Sequence, residues 1–131
     1  MEEGTNDQYI VRFMGTERFE PWGADVTGKD GLQFFERSLA MIMRRNYKTA
    51  LEHPCGMHSI TDYAGEPGSE IQIETVTLPV ANDPGLPRRM VNFFKADAAK
   101  FDYTHAETHP EVQRTWLDIG FGIPAIPPVG K

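Results

Sequence analysis

Two short turn segments constrain the fold of this chain most strongly. Residues 65–68 read GEPG and residues 82–85 read NDPG, and both combine the residue types that favour tight turns. They separate three runs of strand-forming residues, at 57–64, 70–80 and 88–96. Strands with such short connections must pair antiparallel, because a parallel return needs a crossover of about a dozen residues. The sequence therefore predicts a three-stranded antiparallel meander.

The middle run changes the parity of its apolar residues. Ile71 and Ile73 share one parity, whereas Val76, Leu78 and Val80 share the other. Either a bulge near Glu74-Thr75 shifts the strand, or both faces of the strand are covered. We expect the bulge.

A helix is predicted between Gly31 and Leu51, because apolar residues recur there at spacings of three and four. Asp30 is suited to cap its first turn, and His53-Pro54 is suited to end it. The opposite face carries charges that are expected to face water: Glu36, Arg37, Arg44, Arg45 and Lys48.

The remaining segments are predicted as follows. Residues 9–14 alternate like a strand, and residues 16–29 are expected to form short helical turns and loops. The C-terminal part, from Thr108, is predicted to begin as a helix, because Val112, Trp116 and Ile119 would share a helical face. Several prolines then prevent the helix from continuing.

Composition limits the class of protein. A chain of 131 residues with 40% hydrophobic content fits one domain that buries a core without disulfides. The lone Cys55 is expected to be a small buried residue in a reducing compartment. A net charge of −6 disfavours nucleic-acid binding. No signal peptide or long apolar run is present, so we expect a soluble, cytoplasmic protein with no membrane partner.

No catalytic motif stands out in the sequence, and we predict no catalytic residues and no metal site. His105 and His109 are four residues apart, which is a weak metal-binding pattern beside Glu107 and Glu111. Ser59 and His58 cannot form a nucleophile pair, because neighbours in a strand point to opposite faces.

Four short motifs resemble a bacterial family of PAS sensor domains. They are Gly15-Thr16, the GADVTG element at 23–28, the Leu78-Pro79-Val80 step and the DIGFGIP segment at 118–124. The resemblance spans residues 9–124. It implies an α+β fold, in which an antiparallel sheet of four to five strands carries short helices and one long helix packed on one face.

The resemblance leaves one part of the sheet unexplained. PAS sheets have five strands, and the family places a strand before the one at Tyr9, where this chain has only eight polar residues. Four predicted strands would leave an open edge, which the C-terminal tail, a partner chain or a further strand must cover. We expect a polar segment at 1–8, a sensory domain at 9–107, and a helix with a Pro-rich tail at 108–131.

PAS domains hold ligands between the long helix and the sheet, so the resemblance implies a pocket there. The candidate ligand-binding residues are Phe13, Trp22, Phe35, Leu39, Met43, Met57, His58, Tyr63 and Phe93. His58 is also a candidate haem ligand, as in some PAS domains, but the cofactor is not identified by the sequence.

The predicted function is a PAS-like sensory domain that binds a small apolar or aromatic ligand and acts through a homodimer or a signalling partner. Two alternatives stay open. One is a ligand-free protein-interaction domain with a filled core. The other is a small cofactor-free enzyme, which would need a histidine or carboxylate of perturbed acidity inside a pocket.

Overall fold

A computed structural model describes residues 1–15, 26–35, 37–64, 70–96 and 111–130. In chain order its elements are strands β1 (Glu2–Glu3) and β2 (Tyr9–Ile10), a 3-10 turn (Gly31–Phe34), helix α1 (Arg37–Glu52), and strands β3 (Gly56–Ala64), β4 (Glu70–Val80), β5 (Arg89–Ala96) and β6 (Glu111–Leu117). The strands form one sheet in the order β2-β1-β5-β4-β3-β6, and every pairing is antiparallel. The α+β class is confirmed. The count of four to five strands is wrong, because this sheet has six.

The meander of β3, β4 and β5 is confirmed. The β3–β4 register runs without a break from Met57 opposite Thr77 to Ala64 opposite Glu70, and β4–β5 is equally continuous. The bulge expected near Glu74-Thr75 is therefore wrong. The parity change instead places Ile73 on the face of the sheet toward α1 and the apolar residues that follow on the opposite face.

The turn between β4 and β5 shows why the sequence signal was reliable. Leu86 N–H donates a hydrogen bond of 3.2 Å to the carbonyl oxygen of Asp83, so residues 83–86 form a β-turn. Gly85 has a φ of +85°, a conformation in which side chains are strained. Pro84 and Gly85 thus occupy the two central positions that suit them.

The C-terminal segment contains a strand where a helix was expected. β6 pairs with the outer edge of β3, from Gly56 opposite Leu117 to Asp62 opposite Glu111. Over so few residues Val112 and Trp116 fit a period of two as well as a period of four, and the open edge of β3 decides between them. β6 therefore covers the edge that the four predicted strands would have left open.

The N-terminal residues also join the sheet, although they were expected to be only a polar segment. β1 pairs with β2 and with β5. The amino group of Met1 donates a hydrogen bond of 2.7 Å to the carbonyl oxygen of Met90, and burial lowers the pKa of this amine. The strand predicted over residues 9–14 is paired in the sheet only at Tyr9 and Ile10.

The helical region is divided rather than continuous. Asp30 caps the 3-10 turn, because its carboxylate accepts a hydrogen bond of 3.2 Å from Leu32 N–H. α1 spans Arg37–Glu52 and ends directly before His53-Pro54, as predicted. The predicted start at Gly31 is wrong, because Gly31–Phe34 form the 3-10 turn. Arg44 does not simply face water: its guanidinium lies 2.8 Å from the buried carboxylate of Asp30.

The core lies between α1 and the sheet. Its buried members are Tyr9, Leu32, Ala40, Tyr47, Ala50, Leu51, Cys55, Met57, Met90 and Trp116. The rings of Tyr9 and Tyr47 pack edge to face with centroids 5.2 Å apart, a favourable geometry. Cys55 is buried as expected, and this burial raises its pKa. Within the described segments, no helix has the length and apolar content needed to cross a membrane.

Candidate functional site

A cleft lies between the first half of α1 and the face of the sheet that packs against it, which we call the inner face. Its cavity volume is about 60 Å³. The lining residues are Phe35, Leu39, Met43, Tyr47, Met57, Ser59, Thr61, Ile73, Thr75, Thr77, Phe94, Val112 and Arg114.

The roof of the cleft comes from the helical region. Leu39, Met43 and Tyr47 are spaced by four residues, so α1 presents them on one side, and Phe35 precedes them in the chain. The roof side chains are apolar or aromatic, and Met43 is flexible enough to change shape around a guest.

The floor of the cleft comes from four neighbouring strands. Thr75 on β4 lies opposite both Ser59 on β3 and Phe94 on β5, and Ser59 also lies opposite Arg114 on β6. Residues that are directly opposite point to the same face of a sheet. A row therefore crosses the floor from an aromatic ring, through two hydroxyl groups, to a guanidinium group.

The hydroxyl groups on the inner face differ in their hydrogen bonding. Thr77 is buried and its Oγ1 donates a hydrogen bond of 2.6 Å to Asn92 Oδ1. Ser59 is only 8% exposed, yet no hydrogen bond joins its hydroxyl to any group in the described part of the chain. A buried hydroxyl without a partner is unfavourable, so Ser59 is the unusual residue of this floor.

The tail, residues 118–130, is hydrogen-bonded to both α1 and β6. The side-chain amide of Asn46 on α1 donates to the carbonyl oxygen of Val129 at 3.0 Å and accepts from Val129 N–H at 2.8 Å. Arg114 also donates to that carbonyl oxygen, at 3.2 Å. Trp116 Nε1 donates to the carbonyl oxygen of Ile126 at 2.9 Å. Helix, strand and tail are thus joined by hydrogen bonds beside the cleft.

The tail begins with a turn that is held by a carboxylate. Asp118 Oδ1 accepts hydrogen bonds from Gly120 N–H at 2.8 Å and from Gly122 N–H at 3.0 Å. These two donors lower the pKa of Asp118, since they favour its charged form. The DIGFGIP motif therefore serves here to fold the start of the tail.

The described lining of the cleft combines apolar and aromatic side chains with several hydroxyl groups and the guanidinium group of Arg114. Its described lining includes no histidine, cysteine, aspartate or glutamate. Burial raises the pKa of Tyr9 to about 12 and also raises that of Cys55, and neither residue lines the cleft.

Four of the candidate ligand-binding residues lie together in this cleft: Phe35, Leu39, Met43 and Met57. These residues of the helical region and of β3 therefore face one another across the cleft. Whether they bind a ligand stays a prediction.

Three further candidates, Phe13, His58 and Phe93, lie elsewhere and do not line this cleft. Phe13 is 82% exposed and does not line the cleft. His58 and Phe93 point to the opposite, outer face of the sheet, where His58 Nε2 lies 3.2 Å from Glu74 Oε1 and Phe93 is 58% exposed. For His58 and Phe93 the reason is strand parity, because they directly neighbour the inner-face residues Met57 and Phe94, respectively.

Some of the candidate residues lie in parts of the chain that are not described. Trp22, the side chain of Tyr63 and the histidine pair at 105 and 109 lie outside the described residues. Within the described ranges, no group of three or more His, Cys, Asp or Glu side chains could hold a metal ion.

The sequence reasoning missed several lining residues. Ser59 and Thr75 share the parity of Met57 and Ile73, so strand alternation could have found them. Val112 and Arg114 could not be found, because their segment was interpreted as a helix.

Comparisons with protein-family models, with curated proteins and with solved structures found no match to this chain.

Proposed function

We propose that this chain is a PAS-like sensory domain that binds a small, largely apolar molecule in the cleft between α1 and the inner face. The observation that carries the proposal is the cleft itself, in which Leu39 and Met43 lie over a floor that contains the unpaired hydroxyl of Ser59. The family resemblance of residues 9–124 supports the same position for a ligand.

The size of the cleft bears on how it would work. A cavity of about 60 Å³ is smaller than the roughly 150 Å³ of an engineered cavity that binds benzene. An aromatic guest therefore requires the first half of α1 to move away from the sheet. A ligand that binds only this open state shifts the protein toward it, which is the basis of a sensor.

The tail provides a route for the output. Asn46 on α1 and Arg114 on β6 both hydrogen-bond to the carbonyl oxygen of Val129. If α1 tilts as one rigid helix when its first half opens, Asn46 moves relative to Arg114, and at least one of these contacts must change. Ligand binding would then alter how the tail is presented to a signalling partner or to a second copy of the chain.

A ligand-free interaction domain is the second candidate function. It is favoured by exposed apolar side chains on the outer face and on the tail, notably Phe93, Phe121 and Ile126. In that case the cleft would be only an imperfection of packing, and filling it would strengthen the fold without loss of function.

The test is a thermal-shift screen with small aromatic and aliphatic molecules. Ligands that bind the folded state raise Tm by mass action. We expect at least one compound to raise the Tm of the wild-type chain and to lose this effect in Leu39→Trp, which fills the cleft from the roof, and in Ser59→Leu, which fills it from the floor. Thr115→Val, on the outer face, is the matched control.

Two results would refute the proposal. One is a screen in which no compound raises Tm. The other is a set of active compounds that act equally on the wild type and on both filled variants, provided that circular dichroism shows the variants to be folded.

A further inference from the structure

We infer that the molecule bound in the cleft carries an oxygen-containing polar group that hydrogen-bonds to Ser59 and Thr75, and that it is neither a pure hydrocarbon nor a cation. This inference rests on the proposed function and specifies its ligand class. The ligand would be a small amphipathic molecule with an apolar body and a neutral or anionic oxygen group.

The first support is the unpaired hydroxyl. Ser59 is 8% exposed and lines the cleft, and no group in the described segments hydrogen-bonds to its Oγ. Thr77, on the same face, shows the usual solution, since its hydroxyl is bonded to Asn92. Burial of a hydroxyl without a partner destabilises a fold, and a ligand oxygen would supply the missing bond.

The second support is the position of Thr75. It is the direct cross-strand neighbour of Ser59, and such neighbours have Cβ atoms about 4.5–5.5 Å apart. Both side chains line the same cleft. One oxygen atom placed between them can therefore bond to both hydroxyl groups, which act as donors or acceptors as required.

The surroundings place the apolar body of the ligand. Phe94 lies beside Thr75 in the same row, and Leu39 and Met43 lie in the roof. These side chains offer apolar contact and no hydrogen-bonding group. The body would thus lie between Phe94 and α1, and the oxygen group would point to the centre of the floor.

Arg114 determines the sign of charge that the site tolerates. It is the other cross-strand neighbour of Ser59, and Nη1 of its guanidinium donates to the carbonyl oxygens of Val129 and Gly130. The guanidinium group of arginine stays positively charged throughout the physiological pH range. A ligand with an ammonium group beside Ser59 would therefore face a like charge.

The test is a double-mutant-type cycle, in which one hydroxyl group is removed from the protein, from the ligand, or from both, and the Kd values are compared. Benzyl alcohol and toluene serve as probes, and their Kd values are measured by NMR titration with wild type, Ser59→Ala and the outer-face control Thr115→Val. We expect Ser59→Ala to raise the Kd of benzyl alcohol about threefold to tenfold, which is the range of one hydrogen bond. The Kd of toluene should stay unchanged or fall. Thr115→Val should change neither value.

Thr75→Val is the second variant, because it removes a hydroxyl group while keeping the size of the side chain. Thr75→Val should raise the Kd of benzyl alcohol by a similar factor and leave the Kd of toluene unchanged. Benzylamine, which is protonated at pH 7, should bind more weakly than benzyl alcohol to the wild type.

The outcomes separate this inference from the function on which it rests. If toluene binds but Ser59→Ala and Thr75→Val affect both probes equally, or if benzylamine binds as tightly as benzyl alcohol, the ligand class is wrong and the sensory cleft stands. If the wild type binds neither probe but the thermal-shift screen finds other ligands, only this inference fails; if the screen finds none either, the proposed function fails as well.

Discussion

The two halves of α1 meet the sheet in different ways. The second half packs tightly: Ala50 and Leu51 are buried in the core cluster, and so is Tyr47, which also lines the cleft. The first half is looser, since Leu39 is half-buried and lies over the cleft. One helix thus combines a tightly packed end with an end that covers a small cavity.

This difference shows how the fold can hold a guest without unfolding. Asn46 ties the second half to the tail through two hydrogen bonds to Val129. The first half has the flexible Met43 and a polar floor beneath it. Stability is therefore expected to depend on the packed half, and ligand affinity on the cleft half.

The largest effect should come from matched truncations in the same helix. Leu51→Ala removes a buried side chain from the packed half and should lower the free energy of unfolding by about 2–4 kcal/mol. Leu39→Ala, in the cleft half, should lower the free energy of unfolding by about 1 kcal/mol, because a half-buried side chain removes less apolar surface from water. Urea denaturation measures both values. Equal losses at the two sites would contradict the distinction between the halves.

The next effect concerns the attachment of the tail. Asn46→Ala removes both hydrogen bonds to Val129 and should cost about 1–2 kcal/mol. Hydrogen exchange should become faster in residues 118–130 but not in the β3–β4 hairpin. Asn46→Asp is the graded control, since it retains the acceptor for Val129 N–H and loses the donor. Unchanged exchange in the tail would show that Asn46 does not hold it.

A smaller effect compares two buried hydroxyl groups on the inner face. Thr77→Val breaks the bond to Asn92 and should destabilise the fold by about 1 kcal/mol. Ser59→Ala removes a hydroxyl with no partner in the described chain and should leave stability unchanged or raise it slightly. Thermal melting distinguishes the two. A clear loss of stability in Ser59→Ala would mean that this hydroxyl has a structural role.

The smallest effect is the pH dependence of the turn at the start of the tail. The pKa of Asp118 is lowered in the folded state, so its contribution is present above the unfolded pKa of about 3.9 and is lost as pH falls through the folded pKa. The amide resonances of Gly120 and Gly122 should therefore shift only below about pH 4. Asp118→Asn, which keeps an acceptor oxygen, should abolish the titration. A midpoint above the ordinary value would contradict the two hydrogen bonds.

Strong local signals made part of this fold predictable. The NDPG turn and the hairpins it implies follow from backbone conformation, and the apolar period of α1 identifies the helix and its end before Pro54. These features depend on neighbours in the sequence. The pairing of β3, β4 and β5 was predictable for that reason.

Long-range competition explains the errors. The segment 111–117 becomes a strand because the edge of β3 is available, which no local pattern reveals. Phe93 and Phe94 are adjacent in sequence, and only the strand register shows that Phe94 lines the cleft. Arg44 was expected to face water, yet it pairs with Asp30, fourteen residues away.

The most direct test of the account uses the methionine methyl groups. The chain has six methionines, and Met43 and Met57 line the cleft, whereas Met41 is exposed on α1 and Met90 is buried in the core. During a titration with benzyl alcohol, followed by NMR of ¹³C-labelled methyl groups, the account predicts saturable shifts of Met43 and Met57 with one Kd, and little change at Met41 and Met90. Shifts that do not saturate, or that affect all four methionines alike, would contradict a ligand-binding cleft.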